Sequence, residues 1–295
     1  EAAIAAKEKE LADHVAEASQ KKEPRQLDVE QYLDLSPIGK LSDAPEMSAE
    51  DAVKHVVHHD ALMASFNSAA YLKAAAKHAK SIDVDHPDEP LQNREEAKAI
   101  NLYTVESPIY KILNQRLREP DRRDLDPWRP FLRLLITALL RLPKYTGTVY
   151  RGVNRGMAAV LGGAVLPPMP PAVKRGTGPE KKAWRDAQVA EMLKWGNKKW
   201  ETSLEDESLT WWGFSSCTRT LNQTSAYLGK AGQRVIFNVA VQAAVNVQGY
   251  SSFPGEDELL LLPGTVLRIE SVMSPAAGLY IVQLVEQTSS NFCDV

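Results

Sequence analysis

The stretch SSFPGEDELLLLPGT, residues 251–265, joins an acidic cluster to a short apolar run, and the rest of the chain is best interpreted outward from it. Four leucines between acidic residues and a Pro-Gly pair are typical of a short buried strand. If this strand begins at or just before Glu256, its two-residue period places Glu256 and Glu258 on one face and Asp257 on the other. Two carboxylates then point at one place, although an acidic cluster entering a strand is more often a solvated loop end.

The segments around this stretch, from residue 146 onward, have the composition of strands. They are rich in β-branched and aromatic residues, which favour strands, and they cover residues 148–153, 210–214, 234–241, 258–262, 265–272 and 279–285. A loop rich in Pro and Gly at 162–179 and an amphipathic helix at 180–200 separate the first of these strands from the second.

The first half of the chain has helical periodicity instead. Ser48 and Asp51 have capping-box spacing, and apolar residues follow at helical intervals, so a helix begins there. Further helices are predicted at 71–80, 94–104, 108–118 and 127–142. Helices followed by strands indicate an α+β fold rather than alternating βαβ units.

The composition favours a soluble globular protein. The 295 residues include 44% hydrophobic ones, and 35 basic residues nearly balance 38 acidic ones, for a net charge of -3. This balance disfavours nucleic acid as a partner. The most apolar stretch, residues 131–142, is interrupted by Arg133 and Arg141 and is far shorter than the roughly 20 residues of a membrane span. It is interpreted as a buried core helix.

The cysteines and the amino-terminal segment say little about compartment. Cys217 and Cys293 are too few for a disulfide framework. The low cysteine count fits a reducing compartment best, although a single disulfide bond between Cys217 and Cys293 is a remaining alternative. Residues 2–18 lack the apolar centre of a signal peptide.

The histidines narrow the chemistry, because all of them precede residue 90: His14, His55, His58, His59, His78 and His86. A Ser-His-Asp triad, a Cys-His pair or a histidine zinc site is therefore excluded in the strand-rich part. Catalysis there must use carboxylates, hydroxyls and backbone groups. The cluster at 55–60 has metal-ligand spacing, yet a solvated helix face is the commoner explanation, and we expect no metal.

Two further candidate sites precede the acidic cluster. Arg151 lies on a strand and is followed by Gly152, so that a rigid charged fork suited to a phosphate adjoins backbone that a ligand can approach. Ser216, in the run 214–218, can hydrogen-bond a carboxylate or a ribose. Each site also has an ordinary structural explanation. Arg151 could pair with an acidic residue at the edge of the core, and Ser216 could belong to a serine-rich turn. Cys217 is expected to be a packed thiol.

Together the three sites resemble the arginine-specific mono-ADP-ribosyltransferases that carry an Arg-Ser-Glu motif set. The matching features are the aromatic-Arg-Gly strand at 150–152, the Phe-x-Ser-x-Thr strand end at 214–218 and the Ser-x-Phe-Pro-x-Glu-x-Glu stretch at 251–258. The resemblance covers roughly residues 94–285, because 99–104 and Tyr110 with Asn114 are similar to the family's helical lobe.

The resemblance implies a role for each matching residue. Arg151 would orient NAD⁺, with Gly152 near the nicotinamide, and Ser216 would support the catalytic acid and the cofactor. Glu258 would be the catalytic glutamate, and Glu256 would engage the acceptor arginine. The family often has Thr where this chain has Cys217, so the hydrogen bonds of that threonine are in doubt.

Two weaker candidates lie beside these residues. Phe253 would either touch the target protein or pack the turn. Tyr227 could approach the nicotinamide, although its helix-like surroundings favour a core position.

The resemblance also implies a fold and a domain organisation. Two packed, mainly antiparallel sheets would form an NAD⁺ cleft behind an amino-terminal helical lobe. Residues 1–45 would be a polar helical extension and connector, and residues 46–295 one ADP-ribosyltransferase domain, with the helical lobe at 46–145 and the β-rich core at 146–295.

The implied activity is transfer of ADP-ribose from NAD⁺ to arginine side chains of a target protein. The main alternative is an NAD⁺ glycohydrolase, which would use water as acceptor. An inactive NAD⁺- or protein-binding module and a purely structural helical protein are less consistent with three filled motif positions. The chain would act in the cytoplasm or as a secreted effector or toxin in a reducing cytosol.

Overall fold

The computed structural model describes residues 38–119, 122–154, 208–228, 233–276 and 278–287. Five α-helices and one 3-10 helix precede the first strand in this part of the chain. They are α1 (Ala49–His59), α2 (Ala69–Ala79), α3 (Arg94–Thr104), α4 (Pro108–Arg118), the 3-10 helix Arg122–Trp128 and α5 (Arg129–Arg141). The predicted helix at 180–200, the Pro-rich loop at 162–179 and residues 1–37 of the predicted extension and connector at 1–45 lie outside the described residues.

Local capping explains where several of these helices begin. Ser48 accepts a hydrogen bond from the amide of Asp51, as the capping-box spacing predicts. Asn93 accepts from the amide of Glu96 at the start of α3, and Ser107 accepts from the amide of Ile109 at the start of α4. Because these signals are local, α3 and α4 have the bounds that the sequence predicts.

The helices bury one apolar core around α5. Phe131, Leu135 and Leu139 are fully buried on this helix, which confirms the prediction of a core helix. Residues 38–44, assigned to the connector, also reach this core, because Ile38 and Leu41 are buried in it. Arg133 of α5 binds the carbonyl oxygens of residues 42 and 44. The boundary near residue 45 stays a prediction.

An ion-pair cluster anchors the other side of the helical lobe. Asp60, at the end of α1, accepts hydrogen bonds from Arg116 Nη2 at 2.7 Å and from Trp128 Nε1 at 2.8 Å. Arg116 also binds Glu119 and Asp124. The predicted solvated helix face is therefore wrong for Asp60, which is buried, and it holds for His58 and His59, which are exposed.

Seven strands follow in the described residues. They are β1 (Lys144–Val153), β2 (Ser208–Trp211), β3 (Ser215–Thr218), β4 (Arg234–Asn246), β5 (Glu258–Leu261), β6 (Thr265–Ala276) and β7 (Leu279–Glu286), with helix α6 (Leu221–Leu228) between β3 and β4. The predicted strand at 210–214 is displaced, since β2 ends at Trp211 and β3 begins at Ser215.

Pairing is mostly antiparallel, with the order β1-β3-β5-β4-β7-β6-β2. The exception is β4 with β7, which run parallel. The long strand β4 also pairs with β1 along its other edge, so β1, β3, β5 and β4 form a closed ring of pairs. The α+β class is confirmed. The division into two packed sheets around a cleft stays a prediction, because β4 joins all seven described strands in one hydrogen-bonded sheet.

A second core lies within the sheet. It contains Val149 of β1, Val235 and Phe237 of β4, Leu259 of β5 and Leu284 of β7. Burial of such side chains contributes roughly 1.5–3 kcal/mol each. This core holds β1, β3 and β5 in register, and Ser216 and Glu258 lie on the opposite face of β3 and β5. None of the described helices is long and apolar enough to cross a membrane.

Candidate active site

The antiparallel pair β3–β5 brings the serine and glutamate motifs together. Thr218 lies directly opposite Glu258, and Ser216 opposite Leu260. Because side chains alternate along a strand, Ser216 and Glu258 project from one face of this pair. Cys217 and Leu259 project from the other face, into the core.

Glu258 is held at the start of β5 by two hydroxyl groups. The side chain of Ser216 hydrogen-bonds its carboxylate, and Ser251 Oγ donates to Oε2 at 3.4 Å. Burial raises the pKa of Glu258, and the negative charge of Glu256 raises it further, whereas the two serines and the charge of Arg151 oppose this change. The carboxylate is thus partly desolvated beside one cation and one anion.

Arg151, on β1, approaches the same place from the neighbouring strand. Its Nη1 donates a 2.6 Å hydrogen bond to the backbone carbonyl of Ser216. Arg151 also exerts its charge on Glu258. The structure therefore brings together Arg151, Ser216 and Glu258, which the sequence predicted as one site.

Gly152, next to Arg151, faces helix α6. A Cβ built on it would lie 2.9 Å from the carbonyl oxygen of Thr224 and 3.1 Å from Cγ of Leu228. Any side chain would collide with that helix, so packing of α6 on β1 already requires glycine here. Its predicted place near the nicotinamide stays a prediction.

Glu256 and Asp257 precede β5 instead of belonging to it. The strand begins at Glu258, so the expectation that its period extends back to Glu256 is wrong. Glu256 lies in a turn, where its amide donates to the carbonyl of Phe253 at 2.9 Å. It is exposed, yet its charge acts on Glu258. Asp257 turns toward Arg219 and binds both of its ends, Nε and Nη2.

The loop ahead of these acids is anchored on the helical lobe. The amide of Ser252 donates to Thr104 Oγ1 at 2.9 Å, and Ser252 Oγ donates to the carbonyl of Asn101 at 3.0 Å. Phe253 is 44% exposed. Contact with a target protein and packing of the turn both stay predictions for Phe253.

Cys217 is a packed thiol, as the sequence predicts. Its side chain is buried among core residues, and burial raises its pKa to about 12. A threonine at this position would also face the core. Loss of its hydroxyl therefore concerns the core side of β3 rather than the face that carries Ser216 and Glu258.

Two buried polar residues that the sequence did not single out as site residues lie close to this face. Asn114 Nδ2 donates to the hydroxyl of Tyr103 at 2.9 Å. Burial raises the pKa of Tyr103, and the charges of Glu258, Arg151 and Arg118 act on it, so these helices face the site. In the sequence, both residues belong only to the helical-lobe resemblance. Asn114 lies far from the strand motifs in sequence, so no local pattern predicts that it faces the site.

The described part of the chain places neither a metal site nor the side chains of Tyr227 and Cys293 at this site. The described residues contain no group of three or more His, Cys, Asp or Glu side chains that could hold a metal ion. Tyr227 lies within α6, but its side chain is outside the described residues. Cys293 is outside them as well.

Two solved structures have the same fold as this chain. The ADP-ribosyltransferase HopU1 of Pseudomonas syringae pv. Tomato DC3000 is 18% identical, with 81% of this chain and 97% of that chain covered and a TM-score of 0.50. The type III effector XopAI from Xanthomonas axonopodis pv. citri is 14% identical, with 89% and 96% covered and a TM-score of 0.55. No protein-family model matches the sequence, and no curated protein does.

The chain therefore has the ADP-ribosyltransferase fold. At such low identities the likeness defines the architecture, and the chemistry depends on the residues around Glu258.

Proposed function

We propose that this chain is an NAD⁺-dependent mono-ADP-ribosyltransferase that modifies arginine side chains of a target protein and releases nicotinamide. The observation that carries the proposal is the placement of Glu258. It is partly buried, is hydrogen-bonded by Ser216 and Ser251, and lies beside Arg151 on a sheet with the ADP-ribosyltransferase fold.

The residues around Glu258 fit a dinucleotide that carries a diphosphate. Arg151 supplies a permanent cation, and Arg118 is a second one close enough to act on Tyr103. Asn114 Oδ1 is buried without a hydrogen-bond partner, which leaves an acceptor on the helical side of the site. Arg151 would hold the phosphates and ribose, with Gly152 near the nicotinamide. No metal is needed in this scheme, because guanidinium groups neutralise the diphosphate.

Glu258 would stabilise the sugar as the glycosidic bond breaks. Cleavage of the C1′–nitrogen bond leaves positive charge on the ribose and its electron pair on the nicotinamide, and a fixed carboxylate stabilises that charge. Opposite charges about 4 Å apart contribute roughly 4 kcal/mol at an effective dielectric constant near 20. This corresponds to about a thousandfold in rate. The serines keep the carboxylate in place for this role.

Glu256 would select arginine as the acceptor. A guanidinium ion is protonated in water and has no free electron pair to donate, so a carboxylate must hold it and take a proton as its nitrogen bonds to C1′. Glu256 is exposed and close enough to affect Glu258, which is suitable for a group that meets an incoming protein. Phe253, exposed in the same loop, would contact that protein.

The test is incubation of the purified protein with NAD⁺ labelled in its adenylate moiety, together with agmatine or a host-cell extract. Label on agmatine, or on protein in a linkage with the chemical lability of ADP-ribosyl-arginine, supports the transferase. Free ADP-ribose alone would support the NAD⁺ glycohydrolase, and no turnover would support a binding module. Mass spectrometry of labelled peptides would then identify the target arginine.

The relatives by fold also suggest where the chain acts. XopAI is described as a type III effector, and an effector role fits a thiol buried in the core and a motif set directed at host protein arginines. We therefore place the activity in a host cytosol, with a protein rather than nucleic acid as partner.

A further inference from the structure

The ion pair between Arg219 and Asp257 lies at the edge of the site and is not explained by the chemistry assigned to Glu256 and Glu258. Arg219 Nε lies 2.7 and 2.8 Å from the two carboxylate oxygens of Asp257, and Nη2 also binds Oδ1. We propose that this pair, the Arg219–Asp257 clasp, is a positioning device that presents Glu256 to the acceptor. This inference rests on the proposed transferase function.

The clasp continues the β3–β5 pair beyond its last backbone contact. Thr218 is opposite Glu258 in the register of the two strands, so the next residues along each strand are Arg219 and Asp257. Their side chains take over where the backbone ladder ends. The residue between the two functional glutamates is thereby tied to the strand that carries Ser216.

Arg219 is also tied to the strand that carries Arg151. Its guanidinium lies over the ring of Tyr145 on β1, 5.7 Å from the ring centroid. Cations at this distance from an aromatic face are attracted by it. The clasp thus connects the turn at Glu256 to both strands that supply the other site residues.

The turn has a specific need for such an anchor. Its amino-terminal part is fixed on α3 through Ser252, and Gln248 Nε2 holds the carbonyl of Pro254 at 3.1 Å. Gly255 follows in open space, because a Cβ built on it would meet nothing within 4 Å. Asp257, whose side chain is only 18% exposed, is the next residue with an anchored side chain. It therefore limits how far the exposed Glu256 can move.

This arrangement separates acceptor use from cofactor chemistry. Glu258 has its own support from Ser216 and Ser251, so loss of the clasp would leave it in place. Glu256 would sample more orientations, and the acceptor would have to restrict them on binding. The expected signature is a higher KM for the acceptor with little change in NAD⁺ hydrolysis.

The experiment compares Arg219→Gln, Asp257→Asn and the double variant with wild type. For each we expect the KM for agmatine to rise about fivefold, the effect of losing one well-formed, partly exposed ion pair. The double variant should be no worse than either single one, since the same contact is lost. NAD⁺ hydrolysis without acceptor should stay within about twofold of wild type, because Ser216 and Ser251 hold Glu258 independently of the clasp. Asp126→Asn is the matched control: it removes the partner of Arg129, bound at 2.8 Å on the helical lobe, and should change neither quantity.

Hydrogen exchange gives a measurement that does not depend on any activity. The Glu256 amide, bonded to the Phe253 carbonyl, should exchange faster in the clasp variants. The exchange rate of the Ser252 amide, which is bonded to Thr104 of α3, should not change. Faster exchange at Glu256 in the variants, combined with no turnover by wild type, would refute the proposed transferase activity and still support the clasp. Unchanged exchange, or additive effects in the double variant, would overturn the clasp. An Asp257→Asn effect that Arg219→Gln does not reproduce would also overturn it, because Asp257 would then contact the acceptor itself.

Discussion

Arg151 donates its Nη1 proton to the backbone carbonyl of Ser216 at 2.6 Å, so one predicted site residue is held by the main chain of another. The contact joins β1 to β3 beside Glu258. It holds the guanidinium of Arg151 against the main chain of β3. Three motifs that together span more than a hundred residues of sequence, from Arg151 to Glu258, therefore lie close together in space.

The first prediction concerns this contact. Arg151→Lys keeps the charge but loses the planar fork, and we expect the KM for NAD⁺ to rise about 10- to 100-fold, as for the loss of a hydrogen bond to a charged group. Steady-state hydrolysis against NAD⁺ concentration measures it. Arg94→Lys, at the exposed first residue of α3, is the matched control. An unchanged KM would argue against a role of Arg151 in binding NAD⁺.

The second prediction isolates the charge of Glu258. Glu258→Gln keeps the shape of the side chain and should lower both transfer and NAD⁺ hydrolysis about a thousandfold, because the ribose cation loses its counter-charge. Nicotinamide release measures both. Glu50→Gln, which removes an exposed carboxylate paired with Lys54 on α1, should have no effect. Near-normal turnover by Glu258→Gln would refute the catalytic assignment.

The third prediction separates the two glutamates. Glu256→Gln should remove modification of agmatine and protein arginine while NAD⁺ hydrolysis continues, because only the acceptor needs a group that takes its proton. Labelled ADP-ribose and labelled agmatine are quantified in the same reaction. Parallel loss of both products would contradict the division of roles.

The fourth prediction is a pH dependence. Glu258 acts as an anion, and its pKa is raised by burial, so hydrolysis should decline on the acid side at a pH above the usual glutamate range. Ser251→Ala removes the donor to Glu258 Oε2 and should move this acid limb to higher pH, since the lost bond favours the charged form of the carboxyl. Ser252→Ala, which removes only the bond to the Asn101 carbonyl, should leave the limb where it is. A shift in the opposite direction would show that Ser251 does not stabilise the carboxylate.

The fifth prediction concerns the helical lobe. Burial would raise the pKa of Asp60, but hydrogen bonds from Arg116 and Trp128 outweigh it and lower this pKa. Asp60→Asn should reduce the free energy of unfolding by about 3–5 kcal/mol at pH 7, as for a buried ion pair left with one partner. Urea denaturation measures this loss. Asp124→Asn, the exposed partner of the same arginine, should cost at most about 1 kcal/mol.

The sign of the pH effect follows from the lowered pKa of Asp60. A carboxylate with a depressed pKa in the folded state contributes its full stability above its unfolded pKa of about 3.9 and loses it as the pH falls through the folded value. The difference between wild type and Asp60→Asn should therefore be constant near neutrality and shrink below about pH 4. A difference that grew on acidification would contradict the ion pair.

Features that depend on neighbours in sequence were predicted well. Helices α3 and α4 begin and end where expected, because Asn93 and Ser107 cap them locally and the apolar residues have the helical period. Strand positions were also largely predicted, although β2 and β3 were displaced. Their limits depend on which partner strand they meet, and the sequence contains no local signal for that choice.

The amino-acid sequence alone identified Arg151, Ser216, Glu256 and Glu258 as candidates, because the three short patterns that contain them, taken together and in this order, resemble the motif set of one enzyme family. Long-range packing decided which of these side chains share a face of the sheet, because short sequence patterns carry no information about strand register. Register between β3 and β5 placed Ser216 and Glu258 on one face and sent Cys217 into the core. It also turned Asp257, expected only to face away, toward Arg219. Arg219 and Asp257 are 38 positions apart in sequence. They meet because burial of the apolar side chains of the strands selects one register among many.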